Sequence, residues 1–304
     1  RFIHVAGTNG KGSTCAMLES VYRAAGLRVG LFTSPHLVEF RERIRIDGRM
    51  ISERELIEKA TRMRELLKRI EGPGHPTFFE VVVVVALLCF AEANCDLVIW
   101  ETGLGGRLDA TNIVSPIASV ITTVHLDHQE WLGETTAAIA AEKAGIIKQG
   151  APVVTGVDDE EAFEVIRQAA SAQGGELIRT TQADLGRSPV RNLNLTLLGE
   201  HQRRNAAVAA ATVEALQSAI PVTEAALISG LESARFPGRF QEVHADDGGV
   251  VILDGAHNEA GVDALLATLR SRFPDQRPMF ILGMLADKAW PAMCGMLAKE
   301  AECI

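Results

Sequence analysis

A glycine-rich turn near the start of the chain constrains the fold more than any other feature. The run from Gly7 to Ser13 reads Gly-Thr-Asn-Gly-Lys-Gly-Ser. It lies between an apolar segment typical of a strand, Phe2 to Ala6, and a segment with helical periodicity, Cys15 to Ala25. Such a turn directs backbone N–H groups and a helix N-terminus at one point, which is how proteins hold phosphate. The sequence therefore predicts a phosphate loop that binds a nucleotide triphosphate.

The loop departs from the general phosphate-loop pattern. That pattern places four residues between its first glycine and Gly-Lys, and a Ser or Thr directly after the lysine. Here Gly10 follows Gly7 after only Thr-Asn, and Gly12 follows Lys11, so that Ser13 comes one place late. We expect Lys11 to contact phosphate and Ser13 to contribute little to a magnesium ion.

Apolar strand-like runs alternate with helical patterns along the chain, which predicts an α/β fold with a mostly parallel sheet covered on both faces. Capping-box spacing places helix starts before 53–70 and 78–93. Two segments, 43–51 with its Asp-Gly hairpin signal and 182–198, are predicted as excursions from the sheet. The predicted strands of the sheet are Phe2 to Ala6, Arg28 to Phe32, Leu97 to Glu101, Ile117 to Val124 and Pro152 to Thr155.

The pattern restarts near Pro237-Gly238, which predicts a domain boundary. We expect domains at 1–237 and 238–304, the second a smaller Rossmann-like α/β unit. It shows only about two strand–helix repeats, which is small for a domain, so we expect it to be truncated. Its predicted elements are a strand at Val250 to Leu253, a helix at Glu259 to Ser271, a strand at Met279 to Gly283 and a helix after Lys288.

Composition excludes some classes of protein. A net charge of -9 over 304 residues argues against nucleic acid or a membrane surface as a partner, because both favour basic patches. The five cysteines form no C-x-x-C pair and are typical of reduced thiols in a cytoplasmic protein. The most apolar segment, Phe78 to Ala91, is too short to span a bilayer and predicts a buried helix.

Polar residues follow several predicted strands, where ligands bind in open parallel sheets. Glu101 ends a very apolar strand and is the leading candidate for a magnesium ligand, although an ion-paired strand-end glutamate explains its position equally well. Ser34 is a weaker candidate because Ser-Pro often begins a turn. His125 and His128, together with Asp127, invite a zinc interpretation, but no cysteine or third histidine has finger-like spacing. Taken alone, Lys143 is an ordinary helix-surface lysine.

Seven motifs together resemble the folylpolyglutamate synthase/dihydrofolate synthase family of the Mur ligase superfamily. They occur in the family's order over nearly the whole chain. The motifs are Gly-Thr-Asn-Gly-Lys-Gly-Ser at 7–13, Thr-Ser-Pro-His-Leu at 33–37, Glu-Thr-Gly-Leu-Gly-Gly-Arg-Leu-Asp-Ala-Thr-Asn at 101–112, Leu-Asp-His at 126–128, Glu-Lys-Ala-Gly-Ile at 142–146, Gly-Glu-His-Gln at 199–202 with Asn205, and Asp-Gly-Ala-His-Asn at 254–258.

The resemblance implies an ATP-dependent ligase with a phosphate-loop core, two Mg²⁺ ions and a monomeric state. It would join L-glutamate to a folate or dihydropteroate carboxylate through an acyl phosphate. By family position, Ser34 and Glu101 would bind one magnesium ion, His128 would bind a second, and Lys143 would be carbamylated to face the metal. The catalytic set would be Lys11, Lys143, His128 and Glu101.

The resemblance also assigns the residues around the two substrates. The ATP contacts would be Thr8, Asn9, Gly10, Lys11, Gly12, Ser13, Asn205, Arg239, Asp254 and His257. The pterin-side contacts would be Thr77, Phe78, Phe79, Glu80, Leu108, Asp109 and Ala110. Thr77 and Glu80 are also explained as a helix cap, and Arg239 as a hinge-surface residue.

Two other functions remain open at this point. A Mur-type ligase could add an amino acid to a peptidoglycan precursor, although the Leu-Gly-Gly-Arg-Leu-Asp-Ala-Thr-Asn motif and Gly12 favour the folate branch. A nucleotide-switch regulator would hydrolyse ATP without any acceptor.

Overall fold

The main sheet of the computed structural model contains eight strands, in the order β4-β3-β2-β5-β1-β6-β7-β8. The structure describes residues 1–70, 74–244, 246, 248–286 and 288–303. A separate two-stranded sheet pairs β9 with β10. The strands are β1 Phe2–Ala6, β2 Val29–Phe32, β3 Ile44–Ile46, β4 Arg49–Met50, β5 Leu97–Glu101, β6 Ala118–Ile121, β7 Val153–Thr155, β8 Leu177–Arg179, β9 Gln241–His244 and β10 Val250–Leu253.

Helices connect the strands in the alternating pattern that the sequence predicts. Short 3₁₀ helices occur at Phe40–Arg43, Ala110–Ile113 and Val190–Asn192. The α-helices are α1 Lys11–Ala24, α2 Glu53–Leu67, α3 Phe78–Glu92, α4 Gln129–Leu132, α5 Thr136–Ala144, α6 Glu160–Ala172, α7 Gln182–Leu185, α8 Glu200–Ala215, α9 Glu224–Ser233, α10 Glu259–Arg272 and α11 Trp290–Ala298.

Both faces of the parallel sheet are buried. β1 is central and pairs in parallel with β5 and β6. One face packs on α1, α8 and α9 through side chains that include Ile3 and Val5. On the other face α3 covers Phe32 and Trp100, and α5 and α6 cover the β6–β7 region. The carboxyl ends of β1, β2, β5 and β6 therefore meet at one edge, as the alternating pattern predicts.

The 43–51 hairpin is present, but its prediction as an excursion from the sheet is wrong. β3 pairs antiparallel with β2, with Phe32 opposite Ile44, and so extends the main sheet at its edge. The 182–198 segment forms α7 and a 3₁₀ turn, and Leu193 and Leu197 join the core. β8 was not predicted because its three side chains are only half buried and lack a clear alternation.

The C-terminal unit consists of the β9–β10 hairpin with α10 and α11 packed together through Val262, Leu266, Met293 and Leu297. The strand predicted at Met279 to Gly283 is wrong. Only Met279 makes a bridge, to Cys303, and Ile281 is fully exposed. A strand requires a continuous ladder with a neighbour, and within the described residues this segment has a single bridge.

The apolar segment predicted as a buried helix forms α3. Val82, Val85 and Phe90 point into the core and are nearly inaccessible to solvent. Of the helices that the structure describes, none has both the length and the apolar character needed to cross a membrane.

Candidate active site

The phosphate loop turns directly from β1 into α1, and two of its glycines occupy positions that tolerate no side chain. Gly7 has φ 153°, and a β-carbon there would lie 1.9 Å from Thr122 Oγ1. Gly10 has φ 83°, in the left-handed region, and its β-carbon would lie 2.4 Å from Asn205 Oδ1. The loop therefore needs glycine at both positions for conformation and for close approach.

Hydrogen bonds to the segment that follows β6 hold the phosphate loop in place. Thr8 Oγ1 donates to the His125 carbonyl at 3.2 Å and accepts from the His125 N–H at 3.1 Å. Thr123 Oγ1 accepts from the Asn9 N–H at 3.0 Å, and Thr122 Oγ1 donates to the Asn9 carbonyl at 2.6 Å. These contacts fix the backbone before a ligand binds, which lowers the ordering cost of binding.

Lys11 begins α1 and folds back over the loop. Its Nζ donates to the carbonyl oxygens of Gly7 at 2.9 Å and Thr8 at 3.1 Å. The ammonium therefore lies at the helix N-terminus. There the ammonium and the positive end of the helix dipole would both stabilise the negative charge of a phosphate group.

Glu101 lies beside the loop at the end of β5, and only 3% of its surface is exposed. Its Oε2 accepts from the backbone N–H of Ser34 at 2.8 Å, so the two candidate metal ligands are in direct contact. Burial raises the pKa of Glu101 to about 7, although Lys11, the Ser34 N–H and Arg239 favour the charged form. A buried carboxylate near a cationic loop is poised to accept a cation.

Lys143 lies on α5 and is also buried, with 3% of its surface exposed. Burial, with a smaller contribution from the positive charge of Lys11, lowers its pKa to about 7, while Asp127 opposes the shift. A substantial share of the amine is therefore neutral near pH 7. This is not an ordinary surface lysine.

Asp127 connects the C-terminal unit to the main sheet. Its side chain is 6% exposed and contacts Lys288 Nζ at 2.6 Å and His257 Nε2 at 3.5 Å. Asn258 Nδ2 also donates to it at 3.0 Å. Although burial alone would raise it, these contacts with His257, Lys288 and Asn258 hold the pKa of Asp127 below its usual range.

Two further contacts join the units. Asn9 and Asn258 exchange side-chain hydrogen bonds, both at 3.0 Å, so the phosphate loop is tied to the start of α10. Lys288 Nζ lies 3.2 Å from His128 Nε2. The candidate ligand His128 therefore faces an ammonium group in this structure.

A single cleft of about 1210 Å³ lies between the sheet edge and the C-terminal unit. It is lined by every residue that the sequence assigned to ATP or to metal. These are Thr8, Asn9, Gly10, Lys11, Gly12, Ser13, Ser34, Glu101, His128, Lys143, Asn205, Arg239, Asp254 and His257.

Two of these residues also have structural contacts. Asn205 is 5% exposed and donates to Gln202 at 3.0 Å. Asp254 accepts from the backbone N–H groups of Phe240 and Ala256, so it shapes the chain where the C-terminal unit begins.

The pterin-side residues do not line this cleft. Thr77 and Glu80 form the capping box of α3, as their spacing predicts. Phe79 packs against Gly103 and the ring of Phe32, behind the loop that follows β5. The remaining members of the set are Phe78, which is exposed and lines a separate groove between α2 and α3, Leu108, which is exposed, and Asp109 and Ala110, which begin the 3₁₀ helix after β5.

Sequence reasoning missed the roles of Thr122, Asp127, Asn258 and Lys288. Asp127 and Asn258 each lie inside a motif that was recognised, so proximity to a motif was the available signal. Thr122 is one of two adjacent threonines at the end of an apolar run, and Lys288 lies far along the chain in a segment without a motif. Only the fold brings Lys288 to Asp127.

Comparisons with known proteins match this architecture. A family model described as the Mur ligase middle domain matches residues 5–213, and one described as the Mur ligase, glutamate ligase domain matches 238–303. The fold and the cleft thus define a member of the Mur ligase superfamily.

Sequence relatives identify the family within this superfamily. A dihydrofolate synthase/folylpolyglutamate synthase of Bacillus subtilis (strain 168) is 39% identical over 326 residues, covering 100% of this chain and 75% of that protein. The folylpolyglutamate synthase of Lacticaseibacillus casei is 36% identical over 321 residues, covering 98% and 74%. The chain belongs to the folylpolyglutamate synthase/dihydrofolate synthase family.

Solved structures agree. A folylpolyglutamate synthase complex with AMPPCP and folate superposes with a TM-score of 0.91 at 34% identity, covering 100% of this chain and 79% of that one. E. coli FolC in complex with DHPP and ADP gives a TM-score of 0.87 at 35% identity, covering 99% and 72%.

Proposed function

We propose that the protein is an ATP-dependent ligase that joins L-glutamate to the carboxylate of a folate or dihydropteroate. One observation carries the proposal beyond family membership. The buried carboxylate of Glu101 and the buried amine of Lys143 both lie within electrostatic reach of Lys11, the lysine of the phosphate loop, and all three line one cleft. Charged groups buried beside a nucleotide site are typical of a catalytic centre.

The reaction has two balanced steps. The γ-phosphoryl group of ATP moves to the acceptor carboxylate, which gives ADP and an acyl phosphate. The amine of glutamate then attacks the acyl carbon, phosphate leaves, and the nitrogen loses a proton. Phosphoryl transfer depends mainly on positioning and charge neutralisation, which the loop N–H groups and Lys11 supply.

The residues present fit magnesium at one end of the cleft. Magnesium takes one or two carboxylates together with phosphate oxygens and water. Ser34 and Glu101 offer a hydroxyl and a carboxylate that are already in contact through the Ser34 N–H. A bound magnesium ion would neutralise charge that develops on the transferring phosphoryl group.

The second expected ion depends on Lys143 and His128. A protonated lysine would repel a cation, whereas a carbamate on the same nitrogen carries a negative charge. The lowered pKa of Lys143 supports this modification because a neutral amine is the form that takes up CO₂. Lys288 would have to leave His128 for that residue to bind a metal.

The main-sheet unit and the C-terminal unit would contribute different parts of the active site. We place ATP and the acceptor on residues 1–237, and we assign the closing surface to 238–304, with Asn205, Arg239, Asp254 and His257 as nucleotide contacts. Thr77 to Glu80 and Leu108 to Ala110 would form the pterin side of the acceptor site. The monomeric state and the cytoplasmic location stay predictions; the free thiols of Cys15, Cys89, Cys95 and Cys294 support the latter.

The test measures ADP release with purified protein, ATP and magnesium. Release should require both a folate or dihydropteroate and glutamate, and the product should be heavier by one glutamyl residue. Turnover without any acceptor would instead indicate a nucleotide switch. Dependence on a muramyl peptide would indicate a peptidoglycan ligase.

A further inference from the structure

The carboxylate of Asp109, which is half-buried, is held by a hydrogen-bond chain that begins at a buried histidine on the central strand. Oδ1 of Asp109 accepts from the N–H of Thr111 at 2.9 Å and also from the Thr111 hydroxyl. Oδ2 accepts from the N–H of Leu104 at 2.8 Å. A carboxylate offers about four lone-pair positions. The described residues use three of them, which leaves one position on Oδ2.

His4 supplies the other end of the chain. It lies on β1, between Trp100 of β5 and Ser119 of β6, and is fully buried. Its Nε2 lies 2.9 Å from Thr111 Oγ1. The Thr111 carbonyl also accepts from Trp100 Nε1 at 2.9 Å, so Thr111 is held from two strands.

The direction of the chain follows from a count of protons. The Thr111 hydroxyl has one proton, and it donates that proton to Asp109. It must therefore accept from His4, which requires a proton on Nε2 and none on Nδ1. Burial, with a smaller contribution from Lys148, lowers the pKa of His4 to about 3, so the ring stays neutral.

The unprotonated Nδ1 is buried and has no hydrogen-bond partner in the part of the chain that the structure describes. Leaving a buried acceptor unpaired costs free energy. An apolar side chain on this strand would avoid that cost. Among the described residues, the imidazole makes its one side-chain hydrogen bond through the other nitrogen, Nε2, which points to a task there.

The geometry points to His4 as a positioning residue for the acceptor substrate, acting through Thr111 to fix the carboxylate of Asp109. This inference rests on the proposed function. Oδ2 of Asp109 accepts from the N–H of Leu104, and Leu104 lines the cleft together with Glu101, so the remaining position on Oδ2 lies next to the wall of that cleft. A rigid carboxylate is complementary to a heterocycle with adjacent N–H donors, which is the chemistry of a pterin ring.

The hydrogen-bond chain from His4 to Asp109 predicts kinetic effects that a purely structural role for His4 and Thr111 does not predict. Removing the donor with His4→Met, or the hydroxyl with Thr111→Val, should raise the KM for the pterin acceptor about tenfold. The KM for ATP should stay within about twofold, because the phosphate loop is not touched. The double variant should be no worse than either single variant, since both break one chain.

Rescue by the conservative variant separates positioning from packing. His4→Gln keeps an N–H donor where Nε2 lies, and it should recover most of the acceptor KM. Equal losses for ATP and acceptor, a glutamine no better than methionine, or a double variant that multiplies the single effects would each overturn the inference.

A second measurement does not depend on activity. In protein with ¹⁵N-labelled histidine, the ring of His4 should show a protonated Nε2 and an unprotonated Nδ1 from pH 5 to 8, as a buried neutral ring requires. A proton on Nδ1, or titration of the ring in that pH range, would overturn the hydrogen-bond chain from His4 to Asp109 even if the enzyme is active. Failure of the wild-type protein to form a glutamyl product would overturn the proposed function instead.

Discussion

Gly12 and Phe236 are packed so closely that a β-carbon on Gly12 would lie 2.5 Å from Cε1 of the Phe236 ring. This contact explains why glycine occupies the place where the general phosphate loop has a hydroxyl residue. It also joins the start of α1 to the segment that leads into the C-terminal unit. The guanidinium of Arg239 lies 5.3 Å from the centre of the same ring.

The first prediction tests this contact. Gly12→Ala should raise the KM for ATP by about tenfold or more, because the ring must move and the loop with it. Adding Phe236→Ala should recover part of the loss, since it removes the clash. Gly295→Ala is the matched control, because nothing lies within 4 Å of its β-carbon position. If Gly12→Ala raises the KM for ATP and the added Phe236→Ala substitution recovers none of the loss, the close contact between the two residues is not its cause.

The second prediction concerns the ion pair between the units. Lys288→Met leaves Asp127 buried without its closest cation, and breaking a buried pair typically costs about 3–5 kcal/mol. We expect faster amide hydrogen exchange in α10 and around His128, together with a raised KM for ATP. Lys68→Met, at an exposed ion pair, should change neither. Unchanged exchange in the Lys288 variant would show that the pair does not hold the units together.

The third prediction concerns stability and pH. Burial raises the pKa of Glu101 from 4.5 to about 7, so protonation favours the folded state, and the cost of the buried charge is fully present above pH 7. Glu101→Gln should therefore be more stable than wild type at pH 8, by on the order of 2–3 kcal/mol without ligands, and the gain should shrink as the pH falls from 7 towards 4.5.

The same variant should lose nearly all ligase activity, because the proposed metal carboxylate is gone. Denaturant unfolding at pH 5 and pH 8 measures the stability, with the exposed Glu161→Gln as control. A variant that is less stable than wild type at pH 8 would contradict the claim that the buried charge of Glu101 destabilises the folded state.

The fourth prediction concerns Lys143. Its pKa is lowered from 10.5 to about 7, so the neutral amine increases as the pH rises through 7, and carbamate formation should rise with it. When ¹³C-labelled bicarbonate is added, a ¹³C NMR signal from a lysine carbamate should appear in the wild type. It should be absent from Lys143→Ala and present in Lys299→Ala. Lys143→Ala should lose activity, and short carboxylic acids should restore part of it. Full activity of the untreated variant would exclude a role for the carbamate.

The residues that the sequence assigned to the phosphate loop and to magnesium line one cleft because several of them lie at the ends of adjacent parallel strands. Glu101 is the last residue of β5, the Gly7 to Ser13 loop follows β1, and a parallel sheet brings those ends together. Local patterns also predicted the capping box at Thr77 and Glu80. These features depend on short-range rules.

Contacts between distant segments could not be predicted. Lys288 meets Asp127 only because the C-terminal unit docks on the sheet edge, and no motif marks Lys288. The hairpin at β3 was assigned outside the sheet because pairing with β2 depends on a free sheet edge, which a local pattern does not reveal. The strand predicted at 279–283 failed for the related reason that a ladder needs a neighbour.

The most direct test of the central claim is the stoichiometry of a single reaction mixture. With ATP, magnesium, a folate or dihydropteroate, and glutamate, the account predicts one ADP and one phosphate for each glutamyl residue that mass spectrometry finds on the acceptor. Omitting either the acceptor or glutamate should abolish sustained ADP release. Continued ADP release without an acceptor, or an acceptor of unchanged mass, would contradict the account.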